Sequence, residues 1–173
     1  MKTVAIVVPQ RDFKDESLSK ISTLLAKKGL GRQVAGFSAR ECSGYHGAVI
    51  KPDISVWELD PVHVEALILV DGPGFDALRI HENRQFLDLV RQFFENKRLV
   101  GGVGNSIKAI ARANIIKDTK IAKLEGEESR LVRLYHGIST EDPVVFDKNI
   151  LTVSDSDNVE RAVSIIAKAL GAD

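Results

Sequence analysis

Residues 66–74 read Ala66-Leu67-Ile68-Leu69-Val70-Asp71-Gly72-Pro73-Gly74: an unbroken apolar run that ends in an acidic, glycine- and proline-rich turn. A run of that length without polar alternation fits a strand buried on both faces of a parallel sheet, and the residues after it fit the turn into a helix. The helix itself is predicted by the spacing of Phe86, Leu87, Leu89, Val90 and Phe93.

The same strand-turn-helix unit recurs on both sides. Upstream, Thr3-Val4-Ala5-Ile6-Val7-Val8 is a β-branched run stopped by Pro9, and Leu18, Ile21, Leu24 and Leu25 place a helix over Asp15 to Lys28, with Gly29 as its stop. A further strand is expected near Gln33 to Phe37, and the stretch from Ser38 to Ile50 reads as a small hairpin. Downstream, Lys97 to Val103 is the next strand, Gly104-Asn105 a tight turn, and Ile107, Ile110 and Ala111 the helix after it. Strand-like pieces at Pro143 to Phe146 and Ile150 to Val153 precede a closing helix carrying Val159, Val163, Ile166 and Leu170, capped by Asp155 or Ser156. This alternation predicts an α/β three-layer sandwich with a mostly parallel, doubly wound sheet, a fold that places ligand chemistry at the strand C-termini.

Composition narrows the function classes. The 173 residues suit one domain spanning 1–173, since no repeat, low-complexity tract or linker divides them. Lys plus Arg and Asp plus Glu each number 24, so bulk charge favours neither nucleic acid nor an anionic membrane surface as a partner. The apolar segment Val4 to Val8 is too short for a signal-peptide core, and Cys42 is the only cysteine, so a cytoplasmic location is the simplest expectation. Cys42 and His46 have a metal-ligand spacing, but no second pair completes a set, and neither a metal nor a cofactor is expected.

Several segments in order, spread over nearly the whole chain, resemble the ThiJ/PfpI intracellular-protease superfamily, which includes the parkinsonism-associated deglycase branch. Gly44-Tyr45-His46-Gly47 with Lys51-Pro52-Asp53 resembles the PfpI branch's His-Gly segment and the strand after it. Leu67 to Gly72 resembles the strand ending in Pro-Gly-Gly, and Leu78-Arg79 the leucine-arginine step beyond it. Lys97 to Val103 resembles the strand before the nucleophile elbow, and Ala113 to Lys117 the segment after it. Val144 to Thr152 resembles the late hairpin. The resemblance implies a flavodoxin-like, class I glutamine amidotransferase-like layout and self-association into a homodimer or an assembly of dimers.

The resemblance breaks at one pocket. The family's elbow reads isoleucine-cysteine-histidine-glycine, and the matching residues here are Val103-Gly104-Asn105-Ser106, so glycine stands where the thiolate nucleophile is expected. The family's glutamate falls on Ser17, with Glu16 one residue out of register, a turn of about 100° on a helix. Asp71 replaces an oxyanion-loop glycine, setting a carboxylate where backbone amides stabilise negative charge. These departures point to a non-catalytic binding or regulatory homo-oligomer with no catalytic residue, whose vestigial site comprises Ser17, Asp71, Gly72, Gly104 and Asn105 and accepts a small-molecule ligand.

Two other classes stay open: a cysteine-independent hydrolase, deglycase or glyoxalase-like enzyme using Ser106, Cys42 or Glu16, and a subunit that serves mainly an assembly. Each named residue also has a plainer role. Ser106 is expected as a helix cap, Cys42 as a small buried hydrophobe, Asp71 as a turn residue bonding its own loop, and the His46 ring as a donor to turn carbonyls. Gly101 to Ser106 suggests an anion-cradling turn but fails the dinucleotide and Walker patterns, and Glu125 to Glu128 reads as solvated surface.

Overall fold

Each apolar run forms a strand, as the computed structural model shows over residues 1–172; Asp173, the last residue of the expected domain, lies outside the described residues. In chain order the elements are β1 (Thr3–Val7), β2 (Arg11–Phe13), α1 (Asp15–Lys27), β3 (Gly31–Gly36), β4 (Cys42–Gly44), β5 (Val49–Ile50) and β6 (Ile54–Ser55). There follow β7 (Ala66–Leu69), α2 (Pro73–Ala77), α3 (Arg84–Glu95), β8 (Leu99–Val103), α4 (Ile107–Arg112) and β9 (Lys120–Ile121). The chain closes with α5 (Gly126–Leu134), β10 (Ile138–Ser139), β11 (Val144–Asp147), β12 (Ile150–Val153) and α6 (Val159–Ala169).

Seven strands make the main sheet, in the order β11-β12-β8-β7-β1-β3-β6, and every neighbouring pair is parallel except β11 with β12. Successive side chains of a strand point to opposite faces, and each central strand feeds two cores. In β1, Ala5 and Val7 join Phe86, Val90, Phe93, Ile107 and Leu131, the α3, α4 and α5 side. Val4 and Ile6 join Leu18, Ile21, Leu25, Val163 and Ile166, the α1 and α6 side. The result is the three-layer, flavodoxin-like sandwich expected from the strand-helix alternation. Glycine in the middle of β8 allows this closeness: a β-carbon at Gly101 would stand 2.9 Å from Ile68 Cδ1, and one at Gly102 2.9 Å from Ile110 Cδ1.

Helix ends follow the expected chemistry. Gly29, at φ +74°, ends α1 in the left-handed region, and the Asn83 side chain accepts from Phe86 N at 3.0 Å to cap α3. Asp155 accepts from Asp157 N at 3.0 Å and caps the 3₁₀ turn Ser156–Asn158 that leads into α6. The hairpin over 38–50 is present as the antiparallel pair β4 and β5, with β2 added as a third strand. Glu125 to Glu128 is exposed to half-exposed, as the solvated reading expects, and it opens α5, a helix whose buried side holds Leu131 and Val132. Among the described residues no helix is long and apolar enough to cross a membrane.

Candidate functional site

Because β8 pairs with β7 and β7 with β1, the turns after their C-termini converge. The turn after β7 carries Asp71 and Gly72, the turn after β8 carries Gly104 and Asn105, and the first turn of α1 presents Ser17. The loop is tied to α1 by Lys14 N, which donates to the Asp71 carbonyl at 2.8 Å.

The five residues named from the sequence therefore meet. Gly104 holds φ +54°, a left-handed conformation that costs an L-residue about 1–2 kcal/mol. A β-carbon there would stand 3.0 Å from Asp71 Oδ2 and 3.3 Å from Asp71 Cβ, so the Asp71 carboxyl occupies the space in front of the missing side chain. Asp71 is 7% exposed and Ser17 is fully buried. Burial pushes the Asp71 carboxyl above its ordinary range and Asp155 adds to the rise, while Ser17 and the Lys14 charge pull it down. The Ser17 hydroxyl stands beside the carboxyl without reaching hydrogen-bond geometry, which leaves Ser17 Oγ and Asp71 Oδ1 as buried polar atoms without a partner. The Asp71 backbone N–H also pulls the carboxyl down, in keeping with a turn aspartate that bonds its own loop.

Asn105 bonds the loop as well. Its Oδ1 accepts from Gly72 N at 3.1 Å and its Nδ2 donates to Gly72 O at 2.8 Å. Gly72, at φ +141°, has no room for a β-carbon, which would overlap the Asp12 carbonyl.

The other candidate residues lie outside this constellation. Ser106 is fully buried; its Oγ accepts from Val103 N at 2.9 Å and lies 2.9 Å from Leu69 O and 2.7 Å from Val103 O. It makes no side-chain cap on α4, so the capping expectation is corrected: the hydroxyl joins the ends of β7 and β8, and no access remains for a substrate. Cys42 is buried in the α1-side core, and burial pushes its thiol pKa up, away from a thiolate. Glu16 turns outward to Lys20 Nζ at 2.6 Å, which holds its carboxyl low, and accepts from Ser156 Oγ at 3.4 Å. The His46 ring does not bond turn carbonyls; it is exposed and edge-on to Tyr45, while its backbone N–H donates to Asp15 at 2.9 Å.

Above Gly104 and Asn105 opens a cleft of about 460 Å³ lined also by Lys123, Leu124, Glu125, Glu128, Pro143, Ser154 and Asp155. Sequence reading missed Lys123 and the acidic residues as site components, although Asp155 follows the C-terminus of the parallel strand β12, where such folds place ligands. A larger groove of about 740 Å³ touches Met1, Thr3, Gly31 and Arg32 at the opposite, N-terminal strand ends. Its size is outweighed by its place, since the buried unpartnered acid lies at the other end. Among the described residues no cluster of three or more His, Cys, Asp or Glu side chains suits a metal ion.

The protein MJ0967 of Methanocaldococcus jannaschii is 27% identical over 155 residues, covering 89% of this chain and 75% of that protein. Deglycase TK1284 of Thermococcus kodakarensis is 23% identical over 115 residues, 66% of this chain and 68% of that one. The crystal structure of a ThiJ/PfpI domain protein from Brachyspira murdochii superposes with a TM-score of 0.91 at 20% identity, covering 99% of this chain and 97% of the other. With the DJ-1/PfpI sequence profile matching residues 2–168 and the same fold in solved relatives, this chain belongs to the DJ-1/PfpI family.

Proposed function

We propose that this DJ-1/PfpI chain binds a small molecule in the pocket of Ser17, Asp71, Gly72, Gly104 and Asn105, and acts as a regulatory or binding homo-oligomer rather than a catalyst. The observation that carries this reading is the Asp71 carboxyl packed 3.0 Å from the β-carbon position of Gly104. At the elbow where the family resemblance sets a cysteine, no side chain is available to attack, and the volume a thiol would use is filled. Residues 1–173 act as one unit in this reading, in the cytoplasm, with neither nucleic acid nor membrane as partner.

Kinship to deglycase TK1284 favours a second reading, a cysteine-independent deglycase, hydrolase or glyoxalase-like enzyme. One experiment separates the two: turnover of methylglyoxal and of a peptide by wild type, Gly104→Cys, and Gly104→Cys with Asp71→Gly. The double variant is needed because a cysteine at φ +54° is strained and crowds Asp71. Wild type is expected to match a heat-killed control, with activity appearing first in the double variant. Turnover by wild type sinks the binding reading.

A further inference from the structure

We propose that the turn joining α2 to α3 is an acid-sensitive latch: His81, seated as a neutral ring near the cations Lys108 and Arg112, holds the turn on α4 and lets it go when protonated. The latch works whether or not the pocket of Gly104 holds a ligand.

Between α2 and α3 the chain makes the 3₁₀ turn Ile80–Glu82, which packs against α2, α3 and α4. Ile80 is buried, but Leu78, Arg79, Glu82 and Asn83 are exposed, so little apolar surface pins the turn. Arg79 enters it at φ +53°, in the left-handed region that an L-residue occupies at a cost. The closed turn is therefore held by contacts rather than by backbone preference. His81 supplies one of them: its ring is half-buried, and Nδ1 is a buried atom with no hydrogen-bond partner among the described residues.

Charge makes that seat suit a neutral ring alone. α4 brings buried Lys108, its Nζ 2.6 Å from Asp76 of α2, and Arg112, whose Nε is also buried without a partner. The acids near the ring are already paired: Asp76 with Lys108, Glu82 of the turn with Arg79, and Glu127 of α5 with Arg130 at 2.6 Å. Arg112 is the cation of this group left without an ion pair among the described residues. α3 turns Phe86, Leu87 and Val90 inward, and its Arg84 and Asp88 are exposed. A second proton makes both ring nitrogens donors, so the buried Nδ1 must carry a hydrogen that nothing accepts.

Burial holds the ring below the ordinary histidine range; Lys108 and Arg112 push the same way, against Glu82 and Asp76. Released, the ring regains that range. Between the two values the open turn binds more protons, and acid favours opening. Above the ordinary histidine range both forms are neutral and the latch is shut. The Lys108–Asp76 pair ties α4 to α2, and α2 starts next to Gly72, which sets the latch one short helix from the pocket.

The test is amide hydrogen exchange of the full chain, read by NMR from about pH 8 to about pH 5 and corrected for the intrinsic exchange rate, in wild type, His81→Gln and Arg112→Gln. In the closed turn Glu82 N donates to Arg79 O at 3.0 Å and Asn83 N to Ile80 O at 3.1 Å. Their protection in wild type is expected to fall by up to about tenfold per pH unit below the ordinary histidine range, while Val90 in α3 keeps its own. His81→Gln is expected to abolish the fall, and Arg112→Gln, which leaves Lys108 as the one cation pressing on the ring, to reduce it. The His81 ring, followed in the same samples, is expected to titrate below the ordinary histidine range. Protection that stays flat with pH in wild type overturns the latch, as does a fall of the same size in His81→Gln, a loss shared by Val90, or a ring that titrates in the ordinary range. Should His81→Gln not fold, wild type and Arg112→Gln decide: equal falls in these two overturn the latch.

Discussion

Asp71 is the residue on which the site turns. Its carboxyl is buried and one oxygen is unpartnered, so the charged form is penalised in the folded state and the folded pKa lies above the unfolded one. The sign follows from proton counts: between the two pKa values the folded chain binds more protons, so stability falls as pH rises through that window. Below the ordinary carboxylate range both states are protonated and Asp71 makes no difference. Asp71→Asn removes the charge at constant shape. It is expected to match wild type in acid and to be the more stable of the two above the ordinary carboxylate range, where wild type loses stability as Asp71 ionises. Urea unfolding of both proteins across a pH series measures the gap; a gap independent of pH would contradict the raised pKa.

At the scale of elements, the site is held by two short polar ties between the ends of β7 and β8. Ser106 bonds Val103 and Leu69, and the Asn105 amide pairs with both backbone groups of Gly72. Asn105→Ala leaves a Gly72 N–H and C=O without those partners, with an expected loss of about 1–3 kcal/mol and faster hydrogen exchange at the Gly72 amide. Unchanged exchange at Gly72 would show that the loop is held from elsewhere. Elements with strong apolar period were legible in the sequence: β1, β7, β8, α1, α3 and α6 stand where the spacing sets them. Three of the shorter ones were not. β2 has three residues and breaks its own pattern at Asp12, φ +56°; α2 has five residues inside a proline-glycine turn; α5 buries only Leu131 and Val132, too few to show a helical stripe. The site divides the same way. Ser17, Asp71, Gly72, Gly104 and Asn105 were readable because strand ends and the family pattern both point to them, whereas the Lys123, Glu125 and Glu128 side of the cleft depends on how the missed helix α5 folds back over the β8 turn.

Taken whole, the molecule places its polar constellation and the groove of about 740 Å³ at opposite ends of one sheet. Self-association, implied by the family resemblance, is expected to appear in sedimentation equilibrium as a mass of twice 19.0 kDa or a larger even multiple. A 19.0 kDa species at micromolar concentration would remove the homo-oligomer from the proposed function. The strand order has a consequence in time. β12 lies beside β8 although some fifty residues of chain separate Asn105 from Asp155, so the two halves of the cleft leave the ribosome apart. At roughly 5–20 residues per second, Gly104 and Asn105 wait several seconds for the segment that carries Ser154 and Asp155. During synthesis the Gly104 turn is an open surface without its far wall, and a ligand can be enclosed only after the last strand has joined.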